Sequence, residues 1–137
     1  MNSIFPALQQ GLPVLIEQFA VTLLLLVLGI GAYMAITPFH EWRLVREGNL
    51  AAGIVLAGTL IAIALPLGET LASSTVVLDI VVWGLVALVI QILTFIVASR
   101  LIRDLRAMIE AGNVAAALVL IGIQIAVALI NAGAMAG

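Results

Sequence analysis

The chain has 137 residues, of which 65% are hydrophobic and 9% are charged, and its net charge is −2. Soluble domains carry about 25% charged residues, so this composition excludes a water-exposed surface and predicts a membrane protein. The chain has no cysteine and one histidine, which argues against disulfides and against metal or cofactor sites that need several such ligands. The slightly negative charge argues against nucleic-acid binding.

Charged residues divide the chain into four uncharged stretches. Each stretch contains 20 or more residues, and about 20 apolar residues are enough to cross the ~30 Å hydrocarbon core of a bilayer. We therefore predict an all-α, polytopic membrane protein with four transmembrane helices. These helices are expected at residues 15–36, 49–67, 77–99 and 113–133.

The cations are all arginines, and they occur only in the first and third segments between the predicted helices. They are Arg43, Arg46, Arg100, Arg103 and Arg106. In short loops arginine marks the cytoplasmic side, so we expect both termini and the middle loop on the periplasmic side of a bacterial inner membrane.

The second and fourth predicted helices resemble each other in sequence. When residues 46–67 are shifted by 64 positions onto residues 110–131, 11 of the 22 positions are identical. This similarity indicates an internal duplication. Because each repeat contains two helices, the repeats are expected to be parallel, a geometry that extends naturally to a ring of identical subunits. The expected divisions are an outer N-terminal segment and two repeats, at residues 1–14, 15–72 and 73–137.

A Gly-Asn pair opens the second helix of each repeat. The glycine can take the left-handed conformation that ends a turn, and the asparagine can cap the helix that follows. The alternative is a direct role in a site. The residues are Gly48, Asn49, Gly112 and Asn113. In addition, Thr37 is expected to cap a short helix with Pro38 in its first position, and Pro66 to end or kink the second membrane helix.

Small residues four positions apart favour close helix contact, because lipid provides no hydrophobic force between helices. Such pairs are Gly31–Ala35, Gly58–Ala62 and Gly122–Ala126, and they predict that the second and fourth helices are the central ones. The third loop, residues 100–110, is amphipathic at helical spacing. It predicts either a helix on the membrane surface or an extension of the third membrane helix.

Four uncharged polar side chains fall near the middle of the predicted helices. They are Thr59, Gln91, Thr94 and Gln124. Together they can line a narrow hydrated path, or they can simply join helices by hydrogen bonds. Glu69 and Asp79 mark the outer boundary, where they either attract a cation or polyamine or only mark helix ends.

The cytoplasmic loops hold the densest group of polar side chains. They are His40, Glu41, Trp42, Arg43, Arg46, Arg103 and Arg106. This group suggests a docking surface for a protein partner or a proton relay. The alternative is a solvated loop with pairs such as Glu41–Arg46 and Arg43–Glu47. No nucleophile–base pair is present in the sequence, so we predict no catalytic residues and no enzyme activity.

Five segments carry a family resemblance, namely ITPFHEWRLVREGNLAAGIVLAG, ALPL, LDIVVWGLVALVIQ, IEAGNVAAALVL and ALINAG. They resemble the YjfL-like family of small bacterial inner-membrane proteins, built from a duplicated domain of unknown function (DUF350). The resemblance implies four helices and two repeats but brings no established activity. Links of such relatives to phage-shock-type proteins and glutathionylspermidine-synthetase-like enzymes imply envelope stress or polyamine physiology. Family members often carry a cysteine after the final Asn-Ala, where this chain has Gly133.

Two functions follow as hypotheses. The leading one is a non-enzymatic, homo-oligomeric module of the lipid bilayer that passes or senses a small cation or polar solute. The alternative is a membrane anchor or accessory subunit of a membrane complex that recruits a cytoplasmic protein through residues 39–47 and 100–110.

Overall fold

A computed structural model describes residues 3–37 and 39–136, and all regular secondary structure in these ranges is helical. The elements are α1 (Ile4–Ile36), α2 (Glu41–Arg46), α3 (Leu50–Ser73), α4 (Val77–Leu101), α5 (Leu105–Glu110) and α6 (Val114–Ala136). The four long helices, α1, α3, α4 and α6, are each long and apolar enough to cross a membrane. The prediction of an all-helical protein with four transmembrane helices is therefore confirmed.

All four long helices extend beyond their predicted bounds, α4 and α6 by two or three residues and α1 and α3 by more. Helix α1 begins at Ile4 and runs through Pro13, so residues 4–14 add about 16 Å of helix at 1.5 Å per residue. Helix α3 runs through Pro66 to Ser73. Of the two alternatives, that Pro66 ends this helix or kinks it, the first is therefore wrong and the second stays a prediction. Hydroxyl groups support the extra turns, because Thr70 donates to the carbonyl of Pro66 and Ser73 to that of Glu69.

The short helices differ in part from their predictions. Helix α2 begins at Glu41, whereas Thr37 ends α1 and its hydroxyl donates to the carbonyl of Tyr33. Thr37 is thus not the cap of the short helix, and Pro38 lies outside the described residues. Helix α5 is a separate element rather than an extension of α4, because the backbone turns at Asp104, which has a φ of 56°.

The two halves of the chain have the same order of elements, a long helix, a short helix and a long helix. The turns before α3 and α6 also correspond. Gly48 and Gly112 have left-handed backbones, with φ of 84° and 82°. The side-chain oxygens of Asn49 and Asn113 accept the backbone N–H groups of the third residue that follows, at 3.0 and 3.1 Å. The duplication itself remains a prediction.

Helix α3 is the centre of the bundle. It packs against each of the other three long helices, and its contact with α6 is the most extensive between any two elements. At Gly58 a Cβ atom would lie 2.4 Å from Cγ2 of Ile121 on α6, so only glycine permits this approach. The expectation that the second and fourth membrane helices pack closely together is confirmed, but only the first of them is central, because α6 packs against α3 and α4 and not extensively against α1.

Two of the three predicted small-residue pairs do not lie at a contact between helices of this chain. Gly31 and Gly122 are exposed, and a Cβ atom at either position would meet nothing within 4 Å. Helix α1 instead approaches α4 through Gly29, where a Cβ would lie 2.5 Å from Leu88. Two residues correspond to about 200° around a helix, which places Gly29 and Gly31 on opposite faces.

The bundle has two distinct ends. The five arginines lie at one end, together with α2 and α5, which we call the arginine end. The other end, which we call the acidic end, carries Glu17, Glu69 and Asp79, and here Gln18 donates to the carbonyl of Thr75 at 3.4 Å. A buried apolar cluster fills each end.

Candidate functional site

The polar residues with the clearest geometry surround a pocket at the acidic end. The pocket has a volume of about 540 Å³ and lies between the last turns of α3, the first half of α4 and the last turns of α6. Its polar lining residues are Thr70, Ser73, Ser74, Asp79, Trp83 and Asn131. Asp79 and Trp83 are four residues apart and therefore share one face of α4.

Buried amides continue from this pocket toward the middle of the bundle. Asn131 lines the pocket, and its Nδ2 lies 3.5 Å from Oε1 of Gln91. Nε2 of Gln91 in turn donates to the backbone carbonyl of Gln124 at 3.3 Å. Asn131 and Gln124 are seven residues apart on α6, about 10 Å along its axis. Asn131, Gln91 and Gln124, which we call the amide chain, thus lead inward from the pocket, and the link to Gln124 is through its backbone carbonyl rather than its side chain.

The amide chain ends at a polar atom without a partner in the part of the chain that the structure describes. Gln124 is only 2% exposed, and its Nε2 makes no hydrogen bond to these residues. A buried amide without a partner costs about 1–3 kcal/mol. The site therefore has an unused donor that faces the interior of the bundle.

The structure thus unites only part of the predicted midplane set. Gln91 and Gln124 are in direct contact. Thr59 is buried but its hydroxyl bonds within its own helix, to the carbonyl of Val55 at 2.7 Å. Thr94 is half-buried and bonds in the same way to the carbonyl of Ile90. Both threonines are therefore satisfied locally.

Asn131 is the member of the amide chain that was not among the predicted site residues. It lies near the end of a span, where a polar residue is usually taken to face water. The seven-residue spacing from Gln124 was the available signal, because residues seven apart share a helix face. Of the two acids expected at this end, Asp79 lines the pocket, whereas half-buried Glu69 does not.

A second buried polar group lies near the arginine end. Tyr33 and Glu41 are each 1% exposed, and the Tyr33 hydroxyl and Oε1 of Glu41 have no hydrogen-bond partner among residues 3–37 and 39–136. The side chains of Thr37 and Thr59 also lie beside the Tyr33 hydroxyl. The Tyr33 ring packs edge-on against Phe95, with centroids 4.6 Å apart. We call Tyr33, Glu41, Thr37 and Thr59 the tyrosine–glutamate cluster.

Burial raises the pKa of Glu41 above its ordinary value. The hydroxyls of Tyr33 and Thr37 lie near enough to offset part of this shift, although neither forms a well-aligned hydrogen bond to the carboxyl group. The physical cause is desolvation, which disfavours the charged carboxylate. A shallow cleft of about 340 Å³, lined also by Phe39, His40 and Trp42, borders Glu41. The carboxyl group is therefore close to the outside of the bundle although its own side chain is enclosed.

Of the seven predicted docking residues, Glu41 alone is buried. The other six, His40, Trp42, Arg43, Arg46, Arg103 and Arg106, are exposed. Arg43 lies 3.8 Å from Glu47, and Arg106 lies 2.9 Å from Glu110. The expected Glu41–Arg46 pair is wrong, because Glu41 faces inward while Arg46 faces solvent. Among the described residues, no group of three His, Asp or Glu side chains is arranged to hold a metal ion.

The four repeat caps do not line the pocket, but one of them links the two halves. Nδ2 of Asn49 donates to the backbone carbonyl of Ile109 at 2.8 Å and to that of Glu110 at 3.3 Å. Asn113, its counterpart, is exposed. Asn49 thus both caps α3 and holds the end of α5.

Comparison with known proteins places the chain in a family. The family model for the Domain of Unknown Function DUF350 matches residues 7–135. The chain is also 40% identical over 63 residues to the UPF0719 inner membrane protein YjfL of Escherichia coli strain K12, and equally to that of strain O157:H7. Each match covers 46% of this chain and 48% of the relative, about half of its length. No solved structure matches the chain. The four apolar helices and the relatives' name support a multi-pass protein of the inner membrane, and the chain belongs to the DUF350 family.

Proposed function

We propose that this protein is a non-enzymatic inner-membrane module that passes or senses a small cation or polar solute. One observation carries the proposal. A pocket at the acidic end leads into a chain of three buried amides, and the innermost amide has an unpartnered donor.

The chemistry of the amide chain suits weak, reversible binding. Side-chain amides offer both donors and acceptors, so they can replace the hydration of a small polar guest without a fixed charge. In an apolar interior an unsatisfied amide is costly, so a guest or water that bonds to Gln124 is stabilised there. The site is thus suited to transient occupancy.

The rim of the pocket favours a cation. Asp79 lies at the pocket entrance with a negative charge, and the indole of Trp83 follows one turn further in. An aromatic face attracts ammonium groups and other cations within about 6 Å. A cation that reaches the pocket therefore meets first a charge, then an aromatic ring and then the amides.

The tyrosine–glutamate cluster provides polar groups at the opposite end. The apolar cluster that contains Val55, Phe95 and Leu120 fills the bundle around it. Passage therefore requires these side chains to move, whereas sensing requires only that occupancy of the pocket changes their packing. Glu41 supplies a proton site for either mode.

Flux through reconstituted protein tests the proposal. Liposomes that contain the protein should release rubidium ions or labelled putrescine faster than empty liposomes, and the double variant Q91L/Q124L should abolish this release. The matched control is Q9L/Q10L, which changes two exposed glutamines on α1. Equal flux from Q91L/Q124L and wild type would remove the amide chain from the mechanism.

The exposed surface at the arginine end favours a second candidate, an anchor for a cytoplasmic partner. Trp42 is 58% exposed and lies among exposed arginines, a composition typical of protein interfaces. An acidic partner should co-purify with the wild-type protein and be lost from R103E/R106E. The control is E17R at the acidic end. Full retention by R103E/R106E would count against docking at this surface.

A further inference from the structure

We propose that the outward face of α6 binds α3 of a second copy of this chain, so that copies assemble into a ring through the same packing that joins α3 and α6 within one chain. We call this face, formed by Ala115, Val119, Gly122 and Ala126, the α6 outer face. Its residues lie at i, i+4, i+7 and i+11 and so share one side of the helix. All four are exposed.

The corresponding residues of α3 are buried, and at least one of them lies against α6. These residues, 64 positions earlier and of the same types, are Ala51, Val55, Gly58 and Ala62. Ala51, Val55 and Ala62 are 0% exposed, and Gly58 lies against Ile121 of α6. Val119, by contrast, is 56% exposed. The same four residue types are thus buried on α3 and exposed on α6.

The complementary half of the interface is also partly exposed. Helix α6 turns Ala117, Leu120, Gln124 and Ala128 inward, and all four are buried. The equivalent positions on α3 are Gly53, Leu56, Leu60 and Ala64, of which the first two are half-buried and the last two exposed. Leu56 and Ala64 keep the residue types of α6, whereas Gly53 and Leu60 replace Ala117 and Gln124. One chain therefore carries an exposed counterpart of the α3 face in full and of the α6 face in part. A second copy is the partner whose surface matches both.

The asparagine caps show the same asymmetry. Asn49 reaches the carbonyl of Ile109 on α5. Shifted by 64 positions, Asn49 corresponds to Asn113, and Ile109 corresponds to Val45 on α2. Asn113 is exposed, and no hydrogen bond is donated by its Nδ2 to residues 3–37 or 39–136. In the proposed assembly this amide reaches the carbonyl of Val45 in the second copy.

The form of the contact determines the assembly. The contact joins two different faces, so it is heterologous, and heterologous contacts generate rings when the rotation closes. Helices α3 and α6 run in the same direction through the bundle, and successive copies then share one orientation, as insertion into a membrane requires. Close packing over small residues is the usual means of helix association in lipid. This interface does not depend on the proposed function, because the contact would form whether or not the assembly passes a solute.

Disulfide trapping in native membranes tests the interface on a background without cysteine. Gly58 faces Ile121 within the chain, so Gly122 should face Ala57 of the second copy. The variant A57C/G122C should form dimers and a ladder of larger species on oxidation. A57C alone and G122C alone should stay monomeric, because a heterologous contact brings unlike positions together. A57C/G133C is the matched control, since its second thiol lies about 16 Å further along α6, beyond disulfide reach.

Two outcomes would overturn the proposal. The first is that A57C/G122C remains monomeric on oxidation. The second is that G122C alone forms cross-linked dimers, which would show a two-fold contact between α6 helices. A second measurement does not depend on oxidation. G122L should shift the protein to monomers in native mass spectrometry, whereas G11L, at another glycine with open space around it, should leave the assembly unchanged. An unchanged mass for G122L would equally reject the interface.

Discussion

The amide of Asn49 donates to the backbone carbonyl of Ile109 at 2.8 Å and thereby joins the start of α3 to the end of α5. The side-chain oxygen of the same residue caps α3 through the N–H of Ala52. The equivalent residue, Asn113, caps α6 but is exposed. The pair of asparagines therefore separates two effects, capping and tethering, that a single substitution would confuse.

Asn49→Asp should destabilise the isolated chain more than Asn113→Asp. Aspartate still accepts the capping hydrogen bond, but it cannot donate to Ile109, and its charge faces two carbonyl oxygens. The loss of such a hydrogen bond costs about 0.5–1.5 kcal/mol. Thermal unfolding of the monomer in detergent measures the difference. Equal midpoints for the two variants would show that the tether contributes nothing.

Glu41 should make stability depend on pH. Because burial raises the pKa of Glu41, the folded state holds its proton more tightly than the unfolded chain, whose glutamate titrates near pH 4.3. This stabilisation is complete below about pH 4.3 and is lost as pH rises through the raised pKa of the folded protein. Wild type should therefore lose stability as pH rises, and Glu41→Gln should lose less.

The control for Glu41→Gln is the same substitution at a solvent-exposed glutamate. Glu47 is exposed and pairs with Arg43 on the surface, so Glu47→Gln should keep the wild-type dependence of stability on pH. Unfolding midpoints in detergent between pH 5 and 8 provide the measurement. A parallel pH profile for Glu41→Gln and wild type would mean that Glu41 is solvated or paired in the folded protein.

Gln124 and Gln91 should respond to leucine in opposite directions. Gln124→Leu removes a buried donor without a partner, and should stabilise the protein by about 1–2 kcal/mol. Gln91→Leu removes the partner of both Asn131 and the Gln124 carbonyl, and should destabilise it. Chemical unfolding in mixed micelles distinguishes these effects. Destabilisation by Gln124→Leu would reveal that its amide is satisfied by an ordered water or guest.

The sequence predicted the helices well because the length of an uncharged stretch nearly determines a membrane span. It did not predict the burial of Glu41, since a charged residue in a short loop is ordinarily solvated. That burial depends on the position of α2 beside Tyr33, which is a tertiary relationship. The tether from Asn49 to Ile109 was missed for the same reason. The capping role of Asn49 is local, whereas its amide partner lies 60 residues away.

The side of the bundle that each small residue faces was also hidden from the sequence. Gly58 and Gly122 each stand three residues after a valine and four before an alanine, yet one is packed and the other is open. Their immediate neighbours differ, since Ala57 and Thr59 flank Gly58 whereas Ile121 and Ile123 flank Gly122. The shared spacing therefore does not decide which glycine is packed. That depends on the helix beside it, which is a tertiary relationship.

Asp79 should contribute to cation uptake by attraction at a distance. It is exposed at the pocket rim, so Asp79→Asn should lower the initial rate of rubidium or putrescine flux by up to about fivefold, the scale of an exposed charge interaction. The effect should fade above about 0.5 M salt, where screening acts within a few ångströms. Glu69→Asn is the matched control, because Glu69 lies at the same end but outside the pocket lining. Equal loss in both variants would indicate a general surface potential, and loss that persists in high salt would indicate direct binding to Asp79.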